Sequence, residues 1–171
     1  GGEVLVVDGY NMIAAWPELR ELAGRSLEDA RDRLVELLSD DRGYTGRRVI
    51  VVFDAYGVPG PGAKLEQGRV EIIYTKERET ADECIGRLVG ALLEQGAQVS
   101  VATNDQTEQR VVFGKGALRL PARELLWQVE ENRRQLREKL RSRQEAGRSS
   151  FDARLDESLR DLLEKWRRSE I

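Results

Sequence analysis

Histidine is absent from all 171 residues of the chain, and cysteine occurs once, as Cys84. Without histidine, Ser-His-Asp and Cys-His catalysis is excluded, as are ribonucleases that use imidazole as general acid and base. A single thiol forms no internal disulfide, and with no histidine beside it a structural zinc site is disfavoured. A metal bound by this chain would therefore be a hard cation held by oxygen ligands, and Mg²⁺ and Mn²⁺ are the first candidates.

Long hydrophobic runs are also missing. None approaches the ~20 residues that cross a bilayer, and no signal-peptide pattern precedes the first strand. We therefore expect a cytoplasmic protein with no membrane partner, a compartment that the single cysteine also fits. The net charge of −3 argues against a surface coated for nucleic-acid binding, but it leaves room for local basic patches.

Short apolar runs are present instead. Val4–Val7 and Val49–Phe53 are typical of strands buried on both faces of a parallel sheet, and a third such strand is predicted at residues 98–102. Each is followed at once or closely by an aspartate: Asp8, Asp54 and Asp105. Ligands of open α/β sheets bind at the carboxyl ends of the strands, so these acids are expected at a functional edge.

Helical periodicity alternates with the strands. We predict, in order, a helix or turn over residues 10–22 broken near Pro17, a helix from Ser26 to Gly43, a mobile Gly- and Pro-rich surface loop over 55–68, a strand over 70–74, a helix from Thr80 to Gly96, a helix from 105 to about 112, a strand over 117–120, a long helix over 121–143, a linker over 146–150 and a final amphipathic helix. The alternation predicts a three-layer α/β/α domain with a mainly parallel sheet. It would span residues 1–145, with residues 146–171 as linker and C-terminal helix packed on the same domain.

A fourth acid, Asp82, lies in the first turn of a helix that Thr80 and Glu83 begin with a capping box. Each aspartate alone is explained by a helix cap, a turn or the helix dipole. Several carboxylates together repel one another unless a cation neutralises them, so the set favours a divalent metal site for phosphodiester chemistry. Asn11, one turn beyond Asp8, either supports such a site or caps the turn.

Basic residues follow the last of these acids. They are Arg110, Lys115, Arg119 and Arg123. Because cationic contacts to phosphate supply most sequence-independent affinity, RNA contact is favoured for this group, and the ring of Tyr10 could stack on a base. A second basic series over residues 133–143 is interleaved with glutamates, which favours a solvated helix face.

Four motifs carry a resemblance to a known family. They are Val-Asp-Gly-Tyr-Asn-Met-Ile at 7–13, Val-Phe-Asp-Ala at 52–55, Glu-Thr-Ala-Asp-Glu at 79–83 and Ala-Thr-Asn-Asp at 102–105. Together they resemble the YacP family of NYN-domain proteins, which belong to the PIN-like nucleases. The resemblance extends over nearly the whole chain, with gaps in the Gly/Pro loop and before the last helix. It departs at Asn104, where a serine is expected.

The resemblance implies a PIN-like fold and a bacterial, Mg²⁺- or Mn²⁺-dependent endoribonuclease. Carried over by position, Asp8, Asp82 and Asp105 would bind the metal, with Asp54 as a weaker fourth member and Asn11 as a supporting polar group. The family resemblance also extends to a ribosome-associated endoribonuclease that cuts mRNA in the ribosomal A site. RNA, mRNA in particular, and the ribosome are therefore the expected partners, and DNA is not.

Two alternatives of other classes stay open from the residues. A phosphoacceptor signalling module also places aspartates around magnesium, with Asp54 as the acceptor. That design needs an acidic pair after the first strand, whereas Gly9 follows Asp8. A catalytically silent RNA- or ribosome-binding protein would use its basic helix alone. A nucleotide-binding enzyme is disfavoured because GxGxxG and P-loop motifs are lacking.

Overall fold

The computed structural model describes residues 2–55, 64–106, 114 and 116–169. Its elements, in chain order, are β1 (Glu3–Asp8), α1 (Gly9–Ala15), α2 (Pro17–Arg25), α3 (Leu27–Thr45), β2 (Arg48–Phe53), β3 (Lys64–Gln67), β4 (Val70–Tyr74), α4 (Ala81–Glu94), β5 (Gln98–Ala102), β6 (Leu118–Leu120) and α5 (Ala122–Ser169). Residues 1–133 and 134–171 form two units. The first unit holds the sheet, helices α1–α4 and the start of α5. The described part of the second unit is the rest of α5, from Arg134 to Ser169.

The six strands form one sheet in the order β3-β4-β2-β1-β5-β6. All neighbours are parallel except β3 and β4, which are antiparallel. The predicted mainly parallel sheet is thus confirmed. Its register sets Asp8 of β1 opposite Val52 of β2, and Val7 of β1 opposite Ala102 of β5.

Apolar side chains cover both faces of this sheet, as strand β1 illustrates. Leu5 and Val7 belong to the core shared with α1, α2, α3 and the start of α5, whereas Val4 and Val6 belong to the core shared with α4. Successive side chains of a strand point to opposite faces, so a strand with helices on both sides needs a continuous apolar run. The three-layer α/β/α arrangement predicted from these runs is confirmed.

The predicted helix starts are also confirmed. The Ser26 hydroxyl accepts a hydrogen bond from the backbone N–H of Asp29 at 3.2 Å, and Thr80 does the same for Glu83 at 3.2 Å. Pro17 occupies the first turn of α2, where its missing N–H leaves no helical bond unmade, and it separates α1 from α2. Local sequence therefore determines where these helices begin.

Two boundaries differ from the prediction. The predicted loop over 55–68 contains strand β3, which joins β4 through a turn at Gly68 and Arg69, both with positive φ. Four mostly polar residues at a sheet edge show no apolar alternation, so the periodicity missed β3. Helix α3 continues past Gly43 to Thr45, and its C-cap is Gly46, whose φ of 74° is readily adopted by glycine.

The predicted linker over residues 146–150 is wrong, because these residues are helical and α5 is continuous from Ala122 to Ser169. One glycine costs a helix only ~1 kcal/mol relative to alanine, and no proline interrupts the segment. The helix predicted from 105 to about 112 lies outside the described residues beyond Gln106. Packing of the C-terminal segment on the first unit stays a prediction. Among the described residues, no helix has the length and apolarity to span a membrane.

Candidate active site at the carboxyl ends of the strands

Three of the predicted acids follow adjacent strands of the sheet. Strand β1 lies between β2 and β5, and all three are parallel. Asp8 ends β1, Asp54 comes directly after β2, and Asp105 comes three residues after the end of β5. Neighbouring strands are about 4.8 Å apart, so the topology brings these positions to one edge, as the sequence predicted.

Helix α4 brings Asp82 to the same edge. The helix connects β4 to β5, which point the same way, and it packs on the sheet through Cys84, Ile85 and Val89. It must therefore run against the strand direction, with its N-terminus at their carboxyl ends. Asp82 is its second residue.

Helix capping does not explain the aspartates at the starts of α1 and α4. Asp8 occupies the N-cap position of α1, is only 8% exposed, and its side chain makes no capping hydrogen bond. At the start of α4 the cap is the Thr80 hydroxyl, so Asp82 is not needed as a cap. Helix capping, the simplest structural explanation for these two acids, does not apply.

Two buried threonines shape the chain around the other two acids. The Thr75 hydroxyl accepts a hydrogen bond from Ala55 N–H at 2.9 Å, next to Asp54. The Thr103 hydroxyl accepts one from Asp105 N–H at 3.0 Å. Both threonines are 1% exposed. Sequence reasoning missed Thr75; its position directly after a predicted strand was the available signal.

Asn11 lies at this edge with its side-chain oxygen engaged. Its Oδ1 accepts a hydrogen bond from the backbone N–H of Asn104 at 2.7 Å. The Asn104 side chain in turn accepts one from the N–H of Ala122, at the start of α5, at 2.9 Å. The supporting role predicted for Asn11 stays a prediction; the structure shows a contact of its side chain with the segment that carries Asp105.

The donor chemistry of this edge suits Mg²⁺ or Mn²⁺, since carboxylate oxygens are their preferred protein ligands. Among residues 2–55, 64–106, 114 and 116–169, however, no three Asp, Glu, His or Cys side chains are grouped so as to hold one ion. Asp8, Asp54 and Asp105 each make further interactions within the structure. Metal binding by Asp8, Asp82 and Asp105 thus stays a prediction.

A row of aromatic rings lies beside the acids. The ring centroids of Tyr10 and Phe53 are 5.1 Å apart, and those of Phe53 and Tyr74 are 5.7 Å apart. Arg31 donates a hydrogen bond to the Tyr10 hydroxyl at 3.2 Å. Burial raises the pKa of the Tyr74 hydroxyl, and the charge of Arg31 partly opposes this. The ring of Tyr10, predicted to stack on RNA, is therefore already packed against Phe53.

The ring of Phe53 explains why the residue after Asp8 is a glycine. A Cβ atom at position 9 would overlap the ring of Phe53, whereas the φ of Gly9 is not among the positive ones. Close approach of backbone and ring is therefore what requires the glycine. The contact joins the ends of β1 and β2.

The basic residues predicted to bind RNA are only partly described. Arg119 on β6 and Arg123 near the start of α5 are exposed. Arg110 and Lys115 lie outside the described residues. The structure thus leaves two of the four available to a partner and does not address the other two.

A cavity of about 620 Å³ opens at the opposite edge of the sheet, where β1, β2 and β4 begin. Its charged lining is mixed: Glu3, Arg42, Arg47, Arg48, Glu66, Arg69 and Glu71. Strand β1 has six residues, so roughly 16 Å of strand separates this cavity from the acids. It is not part of the candidate active site.

Comparison with known proteins shows the family. The model of the YacP-like NYN domain matches residues 5–168. The chain belongs to this family. It is 48% identical over 172 residues to the uncharacterized protein YacP of Bacillus subtilis (strain 168), covering 99% of both chains.

Solved structures of a YacP protein show the same fold. The crystal structure of Rae1 (YacP) from Bacillus subtilis matches with a TM-score of 0.75 and 48% identity, covering 97% of this chain and 95% of that one. A variant of Rae1 with a tryptophan replaced by leucine matches with a TM-score of 0.73 and 49% identity, over 82% of each chain. Membership of the YacP-like NYN family indicates a nuclease domain, which agrees with acids at the carboxyl edge.

Proposed function

We propose that this YacP-family chain is a Mg²⁺- or Mn²⁺-dependent endoribonuclease. The observation that supports this most is the convergence of Asp8, Asp54, Asp105 and the N-terminus of α4, which carries Asp82, on one edge of the sheet. Capping does not account for Asp8 or Asp82. Several acids at one edge of the sheet, in a domain of a nuclease family, favour a catalytic role.

The carboxylates of Asp8, Asp82 and Asp105 would hold the ion, with Asp54 as a weaker fourth member. A bound divalent cation supplies activation of water and charge stabilisation at a phosphodiester. The chain contains no histidine to deprotonate a ribose 2′-hydroxyl, which favours attack by water in line with the leaving oxygen. The expected products carry a 5′-phosphate and a 3′-hydroxyl.

The proposed substrate is RNA, and specifically mRNA in the ribosomal A site during translation, in the bacterial cytoplasm. Exposed Arg119 and Arg123 support contact with a polyanion. The ribosome is proposed from the family resemblance.

Cleavage of an end-labelled RNA tests the chemistry. We expect cutting with Mg²⁺ or Mn²⁺, no cutting with EDTA, and recovery when the ion is restored. Asp8→Asn, Asp82→Asn and Asp105→Asn should each abolish it, whereas Asp156→Asn, at an exposed position of α5, should cut like the wild type. Cleavage that survives EDTA would overturn the metal dependence, and full activity of Asp8→Asn would overturn the assignment of this edge.

Mapping of RNA ends on translating ribosomes tests the substrate. Wild-type protein should produce new 5′ ends at A-site positions that are absent with Asp8→Asn. Ends of equal abundance on free and ribosome-bound message would contradict the ribosome proposal and leave the nuclease assignment intact. Ribosome binding with no new ends would favour the silent RNA-binding alternative.

A further inference from the structure

The chain between β5 and Asp105 is held by a series of hydrogen bonds. Thr103 N–H donates to the carbonyl of Leu120 on the neighbouring chain segment at 3.2 Å, which extends the pairing of β5 with β6. Its hydroxyl accepts from Asp105 N–H at 3.0 Å. The direction in which the chain leaves the sheet is therefore set before Asp105 is reached.

The residue between them ties this segment to α1. The N–H of Asn104 donates to Asn11 Oδ1 at 2.7 Å, although the two residues are 93 positions apart in the chain. Asn11 lies in the first turn of α1, three residues after Asp8. The bond therefore joins the segment that follows Asp8 to the segment that carries Asp105. Oδ1 is the atom that an asparagine would offer to a hard cation, and here it is directed at a backbone N–H.

The side chain of Asn104 adds a third segment. Its Oδ1 accepts a hydrogen bond from the N–H of Ala122 at 2.9 Å. The carbonyl of Ala122 accepts one from the indole N–H of Trp16, which is buried between α1 and α2, at 2.8 Å. Both backbone polar groups of Ala122 are thus hydrogen-bonded, the N–H to Asn104 beside Asp105 and the carbonyl to Trp16 at the end of α1.

We infer that Asn11 and Asn104 are positioning residues, which fix the distance and direction of Asp105 relative to Asp8 and anchor both to the start of α5. The inference rests on the proposed function, because it assigns these residues to the same active site. Catalytic geometry must be held within about 0.5 Å, and Asp105 follows a strand end rather than lying within a strand. A side chain that bridges the two segments supplies that constraint.

Variants at position 104 test the inference. Asn104→Ala removes the acceptor for Ala122 N–H, and Asn104→Asp keeps an oxygen at that point. Gln106→Glu, at an exposed position one residue past Asp105, controls for the added negative charge. At position 11, Asn11→Ala removes the acceptor for Asn104 N–H.

The readouts are kcat and KM for RNA with Mn²⁺, the Mn²⁺ concentration at half-maximal rate, and amide exchange at Asn104, Asp105 and Ala122 without metal. For Asn104→Ala and Asn11→Ala we expect kcat to fall about 10- to 100-fold with KM changed less than about twofold, as for a small misplacement of a catalytic group. The Mn²⁺ requirement should rise and amide protection should be lost. Asn104→Asp should retain most of the wild-type kcat. Once the effect of one added negative charge, measured with Gln106→Glu, is taken into account, its kcat should be higher than that of Asn104→Ala.

Unchanged kcat and unchanged exchange in Asn104→Ala would overturn the inference, as would equal activity of Asn104→Ala and Asn104→Asp. If the wild type shows no divalent-dependent cleavage, the proposed function fails separately. In that case the exchange data still decide whether the two asparagines hold the segment.

Discussion

Asp41 and Arg47 form a buried two-point ion pair at the edge of the sheet opposite the candidate active site. The Arg47 guanidinium donates to both carboxylate oxygens of Asp41, at 3.0 and 3.1 Å, and the two side chains are 8% and 0% exposed. Asn132 of α5 donates to the same carboxylate at 2.8 Å. The pair joins α3, the start of β2 and the beginning of α5.

Arg47→Met should destabilise the protein strongly, because it leaves the Asp41 carboxylate buried without its counter-charge. We expect a loss of about 3–5 kcal/mol in the free energy of unfolding, measured by urea denaturation. Arg48→Met is the matched control. Its partner Glu71 lies at 2.6 Å but the pair is partly exposed, so the expected loss is below ~1 kcal/mol. Equal losses in the two variants would contradict a special role for the buried pair.

Gly9→Ala should damage the junction between the acids of β1 and β2. The added methyl group overlaps the Phe53 ring, and overpacking of this kind costs about 1–3 kcal/mol. RNA cleavage should fall with it, since the residue adjoins Asp8. Gly24→Ala, in α2 with no atom near the new methyl group, should be neutral or stabilising by up to ~1 kcal/mol. Thermal unfolding and cleavage rate distinguish them; a Gly9→Ala protein as stable as the wild type would refute the steric argument.

Arg119→Glu should weaken RNA binding and its dependence on salt. Loss of one phosphate contact lowers the slope of log K against log salt by about 1, and the reversed charge lowers the affinity itself. Arg20→Glu, an exposed arginine of α2, serves as the charge-matched control. Titration of a labelled RNA at several salt concentrations gives both quantities. If the two variants bind alike, Arg119 belongs to the general surface.

Tyr74 should make stability fall at alkaline pH. Burial raises the pKa of its hydroxyl above the unfolded value of about 10, so the neutral phenol is favoured in the folded state. The stability that this contributes is fully present below pH ~10 and is lost as the pH rises through the folded pKa. Tyr74→Phe should show a smaller alkaline decrease in the free energy of unfolding. Absorbance of phenolate gives the titration directly, and superimposable stability curves for the two proteins would exclude the effect.

The fold was largely predictable because its signals are local. Val4–Val7 and Val49–Phe53 are apolar without interruption, which only a doubly covered strand requires, and Ser26 and Thr80 cap helices through atoms three residues away. The two wrong predictions, a loop in place of β3 and a linker over residues 146–150, also came from reading local signals alone. Strand β3 is polar and gains its identity from pairing with β4, and the helix through residues 146–150 persists because one glycine is a small local cost.

The sequence by itself determined that an acid would end β1, another would directly follow β2 and a third would lie close behind β5, since an aspartate after a buried run can be seen in the chain. It could not show that the Asn11 side chain contacts the backbone of Asn104, or that Gly9 is required by the ring of Phe53. Those facts depend on pairs 93 and 44 positions apart, Asn11 with Asn104 and Gly9 with Phe53. Only the strand order β2-β1-β5 brings such pairs into contact, because hydrogen bonding and steric overlap act over a few ångströms in space and not along the chain.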